Sequence, residues 1–468
     1  MKKYNILFAS HPDYSGNAKA IYEYMKENYK EYSLYYIIND ESNYELLKST
    51  GVDCYINGSD EFKKLFDKID IVFFTHDELL EMKKPNQIYI YLGHGNSGKR
   101  FGHLLSENQL AVQDKRFLEL MKENIDCVIC TYDLWSIIYR CTFDIDFDRI
   151  LPLGTPRTDY IHISDGKSNL KKCGIDTASY DKVLMYLPTF RNGLGRENDG
   201  AFSDNILNLE KYNEEELENY LEDNNYLLIL KYHPYEMNKK NITNMKNIVV
   251  LDDSVMTKNL VTLTEVINGI DLIVADYSSA FSDFVILDRP VCFLDNDIEL
   301  YKKNRGITFD NIKFWSPGPF LKRLNEFEVE VKKLLNNKDY YKEERKNYVD
   351  MNFGKNIRNC SKNVTDYLFK NNNIQNFFDK KKKTADSKLI ELYGENLNLK
   401  DKLDRTTKNC DRLEKENEIL DLELRKLKDD VYNKKNELDN IYSSRTWKFL
   451  EKIRHIIRKK WSREKTLL

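Results

Sequence analysis

Short apolar runs alternate with segments of helical period through the first third of the chain: YNILFAS, then 18–31, YSLYYIIN, 45–49, IDIVFFT, QIYIYLGH and DCVICTY. Strands buried on both faces read as near-continuous apolar runs, and strands separated by helices form βα units. The pattern therefore predicts a parallel sheet covered on both sides. Ile150 to Ile163, containing LPLGTPRTD, is rich in turn-forming residues and interrupts it. The same grammar restarts at Lys182 with KVLMYLPTF, a helical 213–224, YLLILKYHP, NIVVLDD, DLIVADYSS with a helix after Ser279, and PVCFLDND. Two Rossmann-like α/β domains follow: residues 1–165, and 166–372 with a returning helix. A chain of 468 residues is also too long for a single core, which stops growing at roughly 250–300 residues.

Beyond Asn373 a heptad runs through Leu389, Leu392, Leu399, Leu403, Leu413, Leu420, Leu424, Leu427, Leu438 and Ile441. Cys410 and Val431 also fall on the seam, and Asn396, Thr406, Asn417 and Lys434 are its polar positions. Such continuity predicts a coiled coil over 373–442 and parallel self-association into a homo-oligomer. The competing arrangement is a long helix folded back on its own chain. In 443–468 the sequence RTWKFLEKIRHIIRKKW sets Phe449, Leu450, Ile453, Ile456 and Ile457 on one helical face. Trp447 and Trp461 bracket that face, and Lys448, Arg454, Arg458, Lys459 and Lys460 surround it. A basic amphipathic helix of this kind predicts contact with an anionic membrane surface; a partner-protein helix is the alternative.

Charge changes the picture in one respect. The net −3 conceals a tail, Ser443–Leu468, with nine Lys or Arg against two Glu, a local +7, so the remainder carries −10. That polarity argues for one local anionic contact and against a nucleic-acid footprint. The eight cysteines are scattered, and Cys127 and Cys130 lie within an apolar run with no second pair at metal-ligand spacing, which predicts reduced core thiols rather than a zinc or redox site. No apolar run approaches the roughly 20 residues of a membrane span and the N-terminus lacks a signal peptide, so the expected location is cytoplasmic, peripheral on the inner face of the membrane.

Two histidines, His94 in YIYLGHGNSGKR and His233 in LLILKYHPYE, sit where a strand runs into a loop. Ligands of parallel α/β sheets bind at the carboxyl ends of the strands, so both are candidates for the cleft. After His94, the segment Gly95 to Arg100 can bring backbone N–H groups and cations near a phosphate. Asp276 ends a buried run, and Ser278 and Ser279 then have the pattern of a helix N-cap suited to a pyrophosphate. Pro188, Thr189 and Arg191 close another strand, Lys231 precedes His233, and Arg157 lies near the interdomain turn. Asp144, Asp146 and Asp148 read as the solvated face of a strand and not as metal ligands. No Walker-type loop, GxGxxG after the first strand, or HExxH occurs.

Taken in order, YSGNAKAIYEYM, His94-Gly95, LGTPRTD, YLPTFR, His233-Pro234, DYSSAFSDF, RGITFD and the PGP at Pro317 resemble the CDP-glycerol glycerophosphotransferase family of teichoic-acid primases and polymerases, over about residues 4–370. The resemblance implies a GT-B-like fold, with the acceptor mainly on the N-terminal side and the CDP-polyol mainly on the C-terminal side. It implies transfer of glycerol phosphate, or ribitol phosphate, from CDP-glycerol or CDP-ribitol to a lipid-linked cell-surface polymer, with release of CMP and no required cofactor or metal. On that resemblance His94 is the general base and His233 steadies or protonates the departing CMP. Gly95, Asn96, Arg157, Pro188, Thr189, Lys231, Ser278, Ser279 and Asp283 match the donor-binding motifs. One departure stands out: where the family reads Trp-His-Gly-Thr-Pro, Gly93 precedes His94 and Asn96 and Ser97 follow Gly95. The coiled coil and tail resemble appendages of surface-polysaccharide transferases, so a capsule-like acceptor stands beside teichoic acid. The rival readings are a nucleotide-sugar glycosyltransferase or epimerase on the same fold, and a catalytically idle membrane scaffold.

Overall fold

The computed structural model describes residues 3–77, 79–96, 98–110, 112–189, 205–232, 245–309 and 311–464. They divide into two units, 1–381 and 382–468.

The first unit contains two all-parallel sheets. One holds β1 (Asn5–Ala9), β2 (Ser33–Ile38), β3 (Cys54–Ile56), β4 (Ile71–Phe74), β5 (Ile88–Tyr91), β6 (Cys127–Cys130) and β7 (Ile150–Pro152), in spatial order β3-β2-β1-β4-β5-β6-β7. The other holds β8 (Lys182–Leu187), β9 (Tyr226–Leu230), β10 (Ile248–Val250), β11 (Leu272–Ala275), β12 (Val291–Leu294) and β13 (Phe320–Leu321), in order β10-β9-β8-β11-β12-β13. Both are doubly wound, with strand order reversing beside β1 and beside β8, and such a reversal opens a crevice at the carboxyl edge of the sheet.

The apolar runs are continuous because alternate residues fill different cores. Leu7, Val72, Phe74, Tyr89 and Val128 face one side of the first sheet. Ile6, Phe8, Ile71, Phe73 and Ile90 face the other, where the rings of Phe8 and Phe73 stack at 5.2 Å. The second sheet is divided in the same way, with Met185, Ile229 and Ile273 on one side and Leu184, Leu228 and Val274 on the other. Cys127, Cys130 and Cys292 are buried free thiols.

Two sequence expectations are corrected. Asp144, Asp146 and Asp148 do not lie on a strand: Asp144 terminates the helix Asp133–Phe143 in a left-handed conformation, and Asp146 and Asp148 belong to the single 3-10 turn leading into β7. The side chain of Asp144 is held by Lys122 and Arg140 at 2.5 and 2.9 Å. Residues 373–381, assigned from the sequence to the coiled coil, are part of the globular unit. Ile374 is buried against the first sheet, and Phe378 stacks on Tyr4 at 5.5 Å with planes 3° apart. The apolar residues Ile374, Phe377 and Phe378 precede the first seam leucine and have a core to enter.

The second unit consists of the remainder of the helix Asn373–Ser443 and the helix Arg445–Glu464. The first of these, at 71 residues, is about 105 Å long at 1.5 Å per residue.

The root of the long helix is fastened by charge at the amino edge of the first sheet. Asp126, just before β6, receives Lys83 at 2.6 Å and Lys381 at 3.2 Å, and its carboxylate also accepts the Tyr89 N–H. Burial pushes the Lys83 amine down from its usual range, and Asp126 opposes that shift. Asp126→Ala leaves a desolvated ammonium without its partner, so the chain should lose about 3 kcal/mol of stability in urea unfolding. An unchanged midpoint would show that the carboxylate carries no net stability.

Candidate functional site

Loops from the carboxyl edges of both sheets enclose a cavity of about 410 Å³. Its N-terminal wall includes His11, Tyr14, Asn17, His76, Gly93 and His94; Arg157 and the 253–264 segment, with Ser279 and Asp283, form the rest. His11 follows β1 and His76 follows β4, so they flank the point where strand order reverses, while His94 follows β5.

His94 is exposed along this cleft. Its ring stacks on that of His76 with centroids 4.4 Å apart and planes 9° apart. Desolvation by the surrounding cleft, then the Arg157 guanidinium, lower its pKa below the ordinary 6.5, while a hydrogen bond with the Thr75 backbone acts in the opposite sense. Its neutral form therefore persists further into acid than that of a free imidazole, which suits a proton acceptor.

Arg157 ties the two walls together. Its Nε lies 2.7 Å from Asp283 Oδ2, Nη1 donates to the His94 carbonyl, and its backbone N–H donates to Asn17 Oδ1 at 3.0 Å. Asn17, which is buried, also donates through Nδ2 to the carbonyls of Leu92 and Gly93 at 2.9 and 3.0 Å. The amide thus fixes the loop that carries His94. A Cβ at Gly95 would lie 2.8 Å from Arg157 Nη2; the absence of a side chain there lets the guanidinium pass. A second strap joins the two lobes, Lys19 to Glu265 at 2.7 Å, with the lysine side chain 2% exposed.

The other expected residues divide into those on the cavity and those committed elsewhere. Ser279, Asp283 and Arg157 line it. Lys231 pairs with the cavity-lining Asp253 at 2.7 Å. Thr189 is buried, and its N–H and hydroxyl bind the Asp276 carboxylate at 2.9 and 2.5 Å. Asp276 also accepts the Tyr277 and Ser278 N–H groups, so Pro188-Thr189 is pinned to the start of the Ser278-Ser279 turn. Ser279 occupies the N-cap position of the helix Ala280–Val285 without a side-chain capping bond, while the Ser278 hydroxyl accepts the Ala280 N–H at 3.4 Å. Asn96 is buried, accepts the Thr131 hydroxyl at 2.7 Å, and lines a second cavity of about 50 Å³ with Lys99, Trp135 and Ser278. His233 lies outside the described residues, as do Pro234, Arg191 and Ser97.

Sequence reasoning did not single out His11, His76 or Asn17, which line the cavity with His94. The rule that selected His94, a histidine at the end of an apolar run, applies equally to FASHP and FFTHD and would have found both histidines. Among the described residues no group of three or more His, Cys, Asp or Glu is placed to hold a metal ion.

The family described as CDP-Glycerol:Poly(glycerophosphate) glycerophosphotransferase matches residues 1–370. The chain is 28% identical over 352 residues to the teichoic acid poly(glycerol phosphate) polymerase of Bacillus subtilis (strain 168), covering 73% of this chain and 45% of that one. It is 29% identical over 230 residues to the teichoic acid glycerol-phosphate primase of Bacillus spizizenii, covering 48% of this chain and 55% of that one. The chain thus spans about half the length of these two relatives. Its fold is similar to that of the wall teichoic acid polymerase TagF, with a TM-score of 0.66, 24% identity, and coverage of 80% of this chain and 90% of that one.

The structure accounts for Gly93 at the place where a tryptophan was expected from the resemblance. Gly93 has φ +60°, and a Cβ there would stand 2.7 Å from the Tyr139 hydroxyl. Gly93→Ala should therefore cost about 2 kcal/mol, combining left-handed strain with that contact, and Tyr139→Phe in the same chain should restore part of it in denaturant melts. A neutral Gly93→Ala would remove this explanation of the departure.

Proposed function

Because this chain belongs to the CDP-glycerol:poly(glycerophosphate) glycerophosphotransferase family, we propose that its cleft transfers glycerol phosphate from CDP-glycerol to a hydroxyl of a lipid-linked surface polymer, releasing CMP. CDP-ribitol is the close variant of the donor, and teichoic acid or a capsule-like glycan is the acceptor. The observation that carries this reading is the placement of His94 on the carboxyl edge of the first sheet, in one cavity with Arg157 and with Ser279 of the second lobe.

In the proposed reaction the neutral imidazole of His94 takes the proton of the acceptor hydroxyl. The oxygen attacks the distal phosphorus of the donor, and the bond from that phosphorus to the bridging oxygen breaks. Negative charge builds up on the departing CMP, where Arg157, the Ser278-Ser279 turn and Lys231 supply donors and positive charge, with His233 steadying or protonating the leaving phosphate. Such a displacement asks the protein mainly for positioning and charge stabilisation. Gly95, Pro188, Thr189 and Asp283 serve as supports of the donor pocket, shaping the space around Arg157 and the serine turn, and Asn96 lines the small cavity beside Ser278.

Mixing the protein with CDP-glycerol, CDP-ribitol, UDP-glucose and GDP-mannose, and following both binding and CMP release, tests the reading. The expected result is selective use of a CDP-polyol, with His94→Ala lowering kcat by about 10²- to 10⁴-fold while the donor still binds. The rate should stay flat through neutral pH and fall only below 6.5, because the pKa of His94 is lowered and protonation removes the base. Use of only a UDP- or GDP-sugar would overturn the assignment.

The second unit supports a further part of the same proposal: self-association through the coiled coil and attachment to an anionic membrane through the tail. Leu389, Leu399, Leu403, Leu420 and Leu427 are exposed along the seam, as are Phe449, Leu450, Ile456 and Ile457 on the last helix. Lys448, Arg454 and Arg458 are exposed beside them, and Trp447 is partly covered by Tyr442 at 5.0 Å. The helix backbone continues through Lys459, Lys460 and Trp461. No described helix is long and apolar enough to cross a membrane. A chain ending at residue 442 should remain oligomeric in sedimentation equilibrium yet no longer pellet with anionic liposomes. A monomer would exclude the coil as the interface, and continued pelleting would exclude the tail as the anchor.

A further inference from the structure

Three adjacent strands, β1, β4 and β5, each deliver a histidine beyond their carboxyl ends. The middle one, His76, lies face to face with His94 at 4.4 Å and edge-on to His11 at 5.6 Å with planes 85° apart. Thr75 holds the group in place, with its Oγ1 2.9 Å from His76 Nδ1 and accepting the His11 N–H at 3.4 Å. His94 has glycine on either side, Gly93 and Gly95, with φ of +60° and +144°. Its chain neighbours therefore offer no side chain to lean on.

We infer that His76 is a positioning residue for the transfer: its ring is the shelf against which His94 lies flat, so that the base nitrogen keeps one direction into the cleft. This rests on the proposed role of His94 as the base. Burial first, then the neighbouring His94 and His11, push the pKa of His76 down to about 3, so His76 remains neutral where His94 works. A neutral aromatic face favours the imidazolium that forms when His94 takes the proton, whereas a charged one would oppose it. The stack also removes ring rotation that would otherwise have to be lost on the way to the transition state.

The full-length chain carrying His76→Leu or His76→Phe separates a shelf from a merely structural residue. With CDP-glycerol and an acceptor, His76→Leu should lower kcat on the order of 10- to 100-fold while the donor KM stays within about twofold, because the plane is lost but the donor contacts are not. His76→Phe retains the plane and should stay within about threefold of the unmodified chain. Wild-type kcat in His76→Leu, or an equal fall in both variants, overturns the inference. Should the unmodified chain release no CMP, the activity reading has failed, and the shelf is judged by mass-spectrometric rates of His94 carbethoxylation with diethyl pyrocarbonate. Faster modification in His76→Leu alone supports the shelf, and equal rates in all three chains overturn it.

Discussion

The cleft depends on one partly buried guanidinium. Arg157 is bound at once by the Asp283 carboxylate from the second lobe, the His94 carbonyl from the first, and Asn17 through its backbone. An ion pair shielded from water is costly to leave half-made, so displacement of any one partner is felt by the others. The glycine at position 95 follows from this: the guanidinium occupies the space that a side chain would need.

Around that hub, electrostatics sort the nearby groups by role. Asp276 is buried and consumes donors from Thr189, Tyr277 and Ser278, shaping the serine turn. Desolvation and then Arg157 lower the pKa of His94, and burial with the neighbouring histidines lowers that of the stacked His76. The result is two stacked imidazoles, both with lowered pKa, beside a paired cation.

The strands were legible in the sequence because parallel strands buried on both faces leave unbroken apolar runs, and each run named above became a strand. The strand-end rule pointed to His94, the helix-cap pattern to Ser279, the interdomain turn to Arg157 and the family resemblance to Asp283, and all four line one cavity. The rest depended on three-dimensional partners that no local pattern records. Thr189 has the look of a ligand-binding residue but spends its hydroxyl on Asp276. The spacing of Asp144, Asp146 and Asp148 mimics a strand, although a helix end and a 3-10 turn produce it. Residues 373–381 continue a helix whose seam begins later, and only the core around Tyr4 shows where Ile374, Phe377 and Phe378 belong.

The fastening at Asp126 keeps the helix junction apart from the chemistry. The root of the long helix is held to the globular unit by the packing of Ile374 and Phe378 and by Lys380 and Lys381, which pair with Asp148 and Asp126 just ahead of β7 and β6. That is the amino edge of the sheet, whereas His94 stands at the carboxyl edge, beyond the end of β5. Neither Asp126 nor Lys381 lines the cavity, so a change at the helix root alters the junction without removing a group from the cleft.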